Sequence, residues 1–162
     1  MMTTWSARLK RLQITLPKVA APVAAYVPAL RTGNQVWTSG QLPFVDGQLA
    51  ATGKVDEDVT PEEATRLART AALNALAAVD DLVGIDNVTR VVKIVGFVAS
   101  SDGFTGQPAV VNGASNLMGE VFGEAGAHVR SAVGVSELPL GSPVEIELIV
   151  EVADAGGDLT RD

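Results

Sequence analysis

Arg130, Glu145, Glu147 and His128 are the side chains whose types and spacing suit acid–base and anion chemistry in this chain. They fall in the run Gly126-Ala-His-Val-Arg130-Ser-Ala-Val-Gly-Val-Ser-Glu-Leu-Pro139 and in Val144-Glu-Ile-Glu147, which read as two strands joined by a short Pro/Gly turn. The guanidinium of an arginine is a planar fork of donors that fits a carboxylate bidentately, and a nearby glutamate can hold or activate a water. The combination predicts a binding site for a small acid. A period of two puts His128, Arg130 and Ala132 on one face, and sets Val144, Ile146, Leu148 and Val150 opposite Glu145, Glu147 and Glu151. On this pattern the charges gather on one side of a sheet. Arg130 then has two readings, an anchor for a ligand's carboxylate or a structural ion-pair partner of Glu145 or Glu147. A like-charged neighbour raises the pKa of one glutamate, which suits a group that must both take and give a proton.

Composition narrows the chemistry. With 162 residues, 47% of them hydrophobic, the chain has the length of one domain and ample apolar surface for a core. A formal charge of -7 with scattered Lys and Arg speaks against nucleic acid as a partner, because polyanion binding calls for a basic stripe. There is no cysteine and a single histidine, so disulfides, thiolate nucleophiles and histidine-rich metal sites are excluded and no metal is expected. Arg8, Lys10 and Arg11 are not followed by an apolar leader segment, and no apolar run approaches a membrane span. The simplest expectation is a soluble cytoplasmic protein.

The elements that must position these residues can be read in order. Thr4 to Leu12 predicts a short amphipathic helix with Trp5, Leu9 and Leu12 on one side, ended by the Ala- and Pro-rich stretch from Pro17 to Pro28. Residues 1–25 are expected to be an extension packed on a domain spanning 26–153, with a polar tail over 154–162. Strands are predicted at Gln35 to Gln41 and around Phe44 to Ala50, the latter folded at Asp46-Gly47, a two-residue hairpin signal. Thr60-Pro61-Glu62-Glu63 is a capping box with proline at the first helical position, and opens a helix to about Asp80. Arg90 to Ser100 is apolar on both sides and reads as a central strand with neither face in water. A second long helix is expected from about Gln107 to Glu124, weakened by Gly113 and Gly119. The order predicts an α+β fold, a single mixed sheet with two helices on one face. The other face also carries apolar residues, and a closed homo-oligomer would cover it.

Several of these segments resemble the signature of the RidA family, also called YjgF/YER057c/UK114. The resemblance lies in Tyr26, Gly33-Asn34, Thr38-Ser39-Gly40-Gln41-Leu-Pro43, the Arg130-Ser-x-Val segment, Leu138-Pro139 and the Glu145-Ile-Glu147 strand, and the order of elements agrees from about Tyr26 to Val152. The first two dozen residues and the Val110 to Gly123 segment look like a longer, less characterised branch. The resemblance implies a YjgF-like, chorismate mutase-like fold and a homotrimer with ligand sites in the clefts between subunits. It also implies hydrolysis of small 2-imino or enamine acids to 2-oxo acids and ammonia without a cofactor. Carried over residue by residue, it makes Arg130 the carboxylate anchor and Glu147 the group that positions water. Tyr26, Ser39 and Gly40 would line the pocket with an asparagine, for which Asn112 is the first choice and Ser115 or Asn116 the alternatives. Where many members have cysteine this chain has Ala132, and His128 shares the arginine's predicted face. Other readings are a non-catalytic carboxylate-binding or sensing protein, an endoribonuclease or translation inhibitor, and a chorismate mutase by analogy of fold alone.

Overall fold

Val88–Ala99, the twelve-residue strand β5, organises a computed structural model that describes residues 3–19, 21 and 25–154. In chain order the elements are α1 (Trp5–Arg11), β1 (Ala29–Thr32), β2 (Gln35–Thr38), β3 (Phe44–Val45), β4 (Gln48–Leu49), α2 (Pro61–Val83), β5, α3 (Gln107–Phe122), β6 (Val129–Val135) and β7 (Val144–Val152). The main sheet has the order β1-β2-β7-β5-β6, with β6 parallel to β5 and the other pairs antiparallel. A parallel neighbour needs a crossover, and α3 supplies it. The result is the α+β fold expected, one mixed sheet with α2 and α3 on one face.

Local signals account for the boundaries. Thr60 Oγ1 accepts from the Glu63 amide at 3.1 Å and Pro61 opens α2, which runs three residues past the expected end to a Gly84 cap. Small residues let α2 lie close to the sheet, with Ala64, Ala68, Ala71, Ala72 and Ala75 all fully buried. Asp46 and Gly47 both have positive φ, 51° and 78°, as a two-residue hairpin turn requires. That hairpin, β3–β4, stands apart from the main sheet, and the hairpin that opens the sheet is β1–β2, turned at Gly33-Asn34. Strand β1 was not anticipated, since Ala29-Leu-Arg-Thr32 is short and carries one buried residue.

Two sequence expectations change. The arginine and glutamate strands are not neighbours, because β5 lies between β6 and β7. Nor is β5 dry on both sides: Val95 and Phe97 are only half-buried, because no element among the described residues covers that face. The strand's inward set also shifts phase. A bulge between Val91 and Lys93 inserts one residue, so that Val91, Ile94 and Val98 all face the core.

The segment set apart as an extension is joined to the core through α1. Thr4 caps it, the Trp5 ring packs edge-on against Phe122 at 5.2 Å, Trp5 Nε1 donates to Val88 O at 2.7 Å, and Leu9 is buried. The tail expected over 154–162 lies outside the described residues beyond Asp154. Among the described residues, no helix is long and apolar enough to cross a membrane.

The two glycines that weakened α3 in the sequence behave differently. A Cβ on Gly113 would land on the Thr65 carbonyl of α2, whereas one on Gly119 would meet open space. Gly113→Ala should therefore destabilise by about 1–3 kcal/mol through overpacking, and Gly119→Ala should stabilise by about 0.5–1 kcal/mol through helix propensity. Urea unfolding midpoints at one fixed protein concentration check the pair; shifts of the same sign would contradict the packing account.

Candidate functional site

The chemistry-bearing residues fall into two groups. The first is built on β6, an edge strand. Arg130 pairs with the core residue Ile94, so its side chain rises on the helix-covered face and meets α3. Arg130 Nη1 donates to Asn112 Oδ1 at 2.8 Å and to Ser115 Oγ at 3.1 Å, and Nη2 donates to Pro108 O at 3.2 Å. Pro108, Asn112 and Ser115 are spaced by four and three, one row of the helix. All three acceptors are neutral. The ion pairs among the described residues are Lys54–Glu137, Arg66–Glu63 and Arg69–Glu120, and none involves Arg130.

Of the three candidates for the pocket position, Asn112 and Ser115 both accept from the guanidinium, while Asn116 is exposed and is not among its partners. His128 is hydrogen-bonded within its own chain. Its Nδ1 lies 2.7 Å from Gly126 O and its Nε2 lies 2.9 Å from Ser115 Oγ, so both ring nitrogens are engaged within the protein rather than offered to a ligand.

The second group surrounds a cavity of about 350 Å³ on the open side of the sheet, lined by Tyr26, Gly40, Gln41, Leu42, Phe44 and Glu145, with Pro139 and Leu140 at its rim. Its walls are fixed from behind. Gln41 exchanges backbone hydrogen bonds with Ile146 at 2.8 and 3.0 Å, and the buried Asn74 of α2 donates to the carbonyls of Leu42 and Phe44 at 2.9 and 3.1 Å. Ser39 does not line the cavity; its amide and hydroxyl donate to Pro28 O and Val27 O, which ties down the segment carrying the half-exposed Tyr26. Gly40 is required by contact, because a Cβ there would fall on the Glu145 carboxylate. A larger polar depression of about 600 Å³ lies elsewhere, beside Lys54, Asp56, Glu57, Ser101 and Asp102. It shares no residue with either group.

The family resemblance assigned the water-positioning role to Glu147 and none to Glu145. It lines the cavity and Glu147 does not, although both project from the same face of β7. Burial raises the Glu145 carboxyl above the ordinary range, and the negative charge of Glu147 raises it further. Only the cross-strand contact with Gly40 separates the two glutamates, and that needs the sheet register.

The expectation that the charges share one side of the sheet is corrected by the same register. Glu145 pairs with Phe97 and Glu147 with Val95 on the open face, whereas Arg130 pairs with Ile94 on the helix face. Within one chain the sheet separates the arginine from the glutamates, so the structural ion pair is ruled out as well.

A family model described as "YjgF/chorismate_mutase-like, putative endoribonuclease" matches residues 6–152, beginning inside the segment that the sequence set apart as an extension. Protein TCP17 of Trypanosoma cruzi is 44% identical over 149 residues, 91% of this chain and 93% of that protein. The crystal structure of Atu1372 from Agrobacterium tumefaciens, a protein of unknown function, is 44% identical with a TM-score of 0.85, over 92% of each chain. A 2-iminobutanoate/2-iminopropanoate deaminase of Dermatophagoides farinae is 31% identical over 139 residues, 86% of this chain and 94% of that protein.

The raised pKa of Glu145 has a consequence for stability. Its carboxyl keeps a proton to higher pH in the folded protein than in the unfolded chain. Between the ordinary carboxylate range and the raised value the folded state binds more protons, so stability falls as pH rises through that window. Glu145→Gln should remove this slope and raise the unfolding midpoint at neutral pH. Unfolding midpoints followed from about pH 4 to 8 check it; an unchanged slope in the variant would count against a strained carboxylate.

Proposed function

The chain belongs to the YjgF/chorismate mutase-like family, and from that premise we propose that it is a hydrolytic deaminase of small reactive 2-imino or enamine acids, with each site completed between two copies of the chain. The observation that carries this reading is Arg130: a cation at an edge strand, held by three neutral oxygens and without a carboxylate partner among the described residues. Such a group is a preformed fork for a substrate carboxylate. The name of the mite deaminase supports the substrate class.

In the proposed reaction Arg130 of one copy grips the carboxylate. Glu145 of the other copy faces C2 from the cavity beside Gly40 and Tyr26. Water adds to C2 of the C=N bond while Glu145 takes its proton, and the same proton passes to the nitrogen of the carbinolamine. The C–N bond then breaks as the carbinolamine hydroxyl gives its proton, again through Glu145, to the departing nitrogen, and the products are a 2-oxo acid and ammonia. A carboxyl raised towards neutrality is suited to both transfers. Glu147, assigned this task by sequence resemblance, serves here as the neighbouring charge that raises Glu145. The site calls on no metal or cofactor for any step.

The test is the rate of 2-oxo acid formation from enzymatically generated 2-imino acids. Arg130→Ala and Glu145→Gln are each expected to lose at least about a hundredfold in rate, while Glu147→Gln keeps most of it. Co-refolding the two inactive variants should restore about one quarter of the activity, since a random mixture pairs an intact arginine with an intact glutamate at about one site in four. No acceleration by the wild type overturns the deaminase reading, and no complementation overturns the shared site. RNA cleavage that survives Arg130→Ala would instead favour the endoribonuclease activity in the family's description.

A further inference from the structure

A hydrogen-bonded chain of defined sense runs behind Arg130. A carbonyl can only accept, so the His128 Nδ1 lying 2.7 Å from Gly126 O carries a proton. In the neutral ring Nε2 is then a bare lone pair, and the Ser115 hydroxyl 2.9 Å away donates to it. With its hydrogen committed, Ser115 Oγ presents its own lone pairs to Arg130, whose Nη1 donates at 3.1 Å. Asn112 Oδ1 fixes the same nitrogen from the adjoining turn of α3 at 2.8 Å.

We propose that His128 is a positioning residue for Arg130, acting through Ser115 to hold the guanidinium as a preformed carboxylate fork. The inference rests on the reading of Arg130 as the carboxylate anchor. An arginine side chain has many rotamers, and ordering it at the moment of binding weakens affinity. A serine hydroxyl left to rotate is an indifferent partner, since its hydrogen can point at the cation. His128 removes that freedom, and its fit follows from the fold: it precedes Arg130 by two residues, so both side chains stand over the same turn of α3.

His128 is the one histidine of the chain, so the imidazole nitrogen signals of labelled protein report this ring alone. The neutral ring should be the Nδ1–H tautomer, and pyruvate, used as the carboxylate probe, should shift the Nε2 signal in wild type but not in Ser115→Ala. Ser115→Ala and His128→Leu should each weaken pyruvate binding about tenfold, and raise KM for the imino acid more than they lower kcat, with unchanged unfolding midpoints. His128→Gln, whose amide oxygen can accept from Ser115, should recover most of the affinity. An Nε2–H tautomer overturns the inference. So does pyruvate affinity that Ser115→Ala and His128→Leu leave unmoved while Arg130→Ala abolishes it, an outcome that leaves the carboxylate anchor standing. If wild type does not bind pyruvate, or Arg130→Ala binds it equally well, the anchor fails and this inference fails with it.

Discussion

Side chains alternate across a strand, and three strands locked in one register make that alternation the governing constraint of this molecule. Ile94 at the centre of β5 lies between Arg130 of β6 and Leu148 of β7, so the arginine belongs to the row that faces the helices. One step along, Val95 and Phe97 align with Glu147 and Glu145 on the row that faces away. The bulge between Val91 and Lys93 sets this phase for both neighbours, because the pairings from Lys93 to Val98 then run without interruption. A slip of one residue would exchange the faces and bury the glutamates under the helices, at several kcal/mol for each unpaired charge.

The same register explains how a cation comes to stand on a helix-covered face without a counterion among the described residues. Arg130 lies on the edge strand, where the cover of α3 ends and the side chain is only half-buried. Water still reaches the group, and three neutral oxygens satisfy the inner donors. Charge-assisted hydrogen bonds are the stronger class, so this cage fixes orientation while leaving the charge uncompensated. Asn112 and Ser115 reach the guanidinium from one row of α3, and that helix owes its position to the close contact of Gly113 with α2. The helix packing thus determines where the cation points.

Much of the fold was legible because its boundaries rest on local chemistry. Thr60 and Pro61 mark a helix start and Asp46-Gly47 a hairpin, and the apolar positions Val110, Val111, Leu117, Met118, Val121 and Phe122 of α3 are all buried. The sheet order was not legible, because β6 and β7 are adjacent in the chain yet flank β5 in space, and a turn signal does not say whether its strands pair. The central bulge and the short β1 were missed for a related reason: each is defined by its partner rather than by its own residues. At the site, the candidate residues fall into two groups that strand periodicity alone did not separate. His128, Ser115, Asn112 and Arg130 form one unit, while Gly40, Tyr26 and Glu145 form another, and a period of two cannot tell which glutamate meets a glycine from which four strands separate it in sequence.

The separation of Arg130 from Glu145 within the chain bears on how the open face is to be understood. Leu30, Trp37, Ile149, Val95, Phe97 and Val133 occupy it by register, and several are substantially exposed. An apolar surface of this kind is stabilised by being covered, but the two glutamates set among these residues would be left costly by a purely apolar partner. A partner bringing a cation to that position would resolve the conflict, and Arg130 on the edge strand β6 is the cation that the proposed site supplies. In the arrangement proposed for the site, a substrate carboxylate that neutralises Arg130 also withdraws a positive charge from beside Glu145. The carboxylate of Glu145 is then a stronger base with substrate bound than without it, which favours its taking the proton of water in the first step.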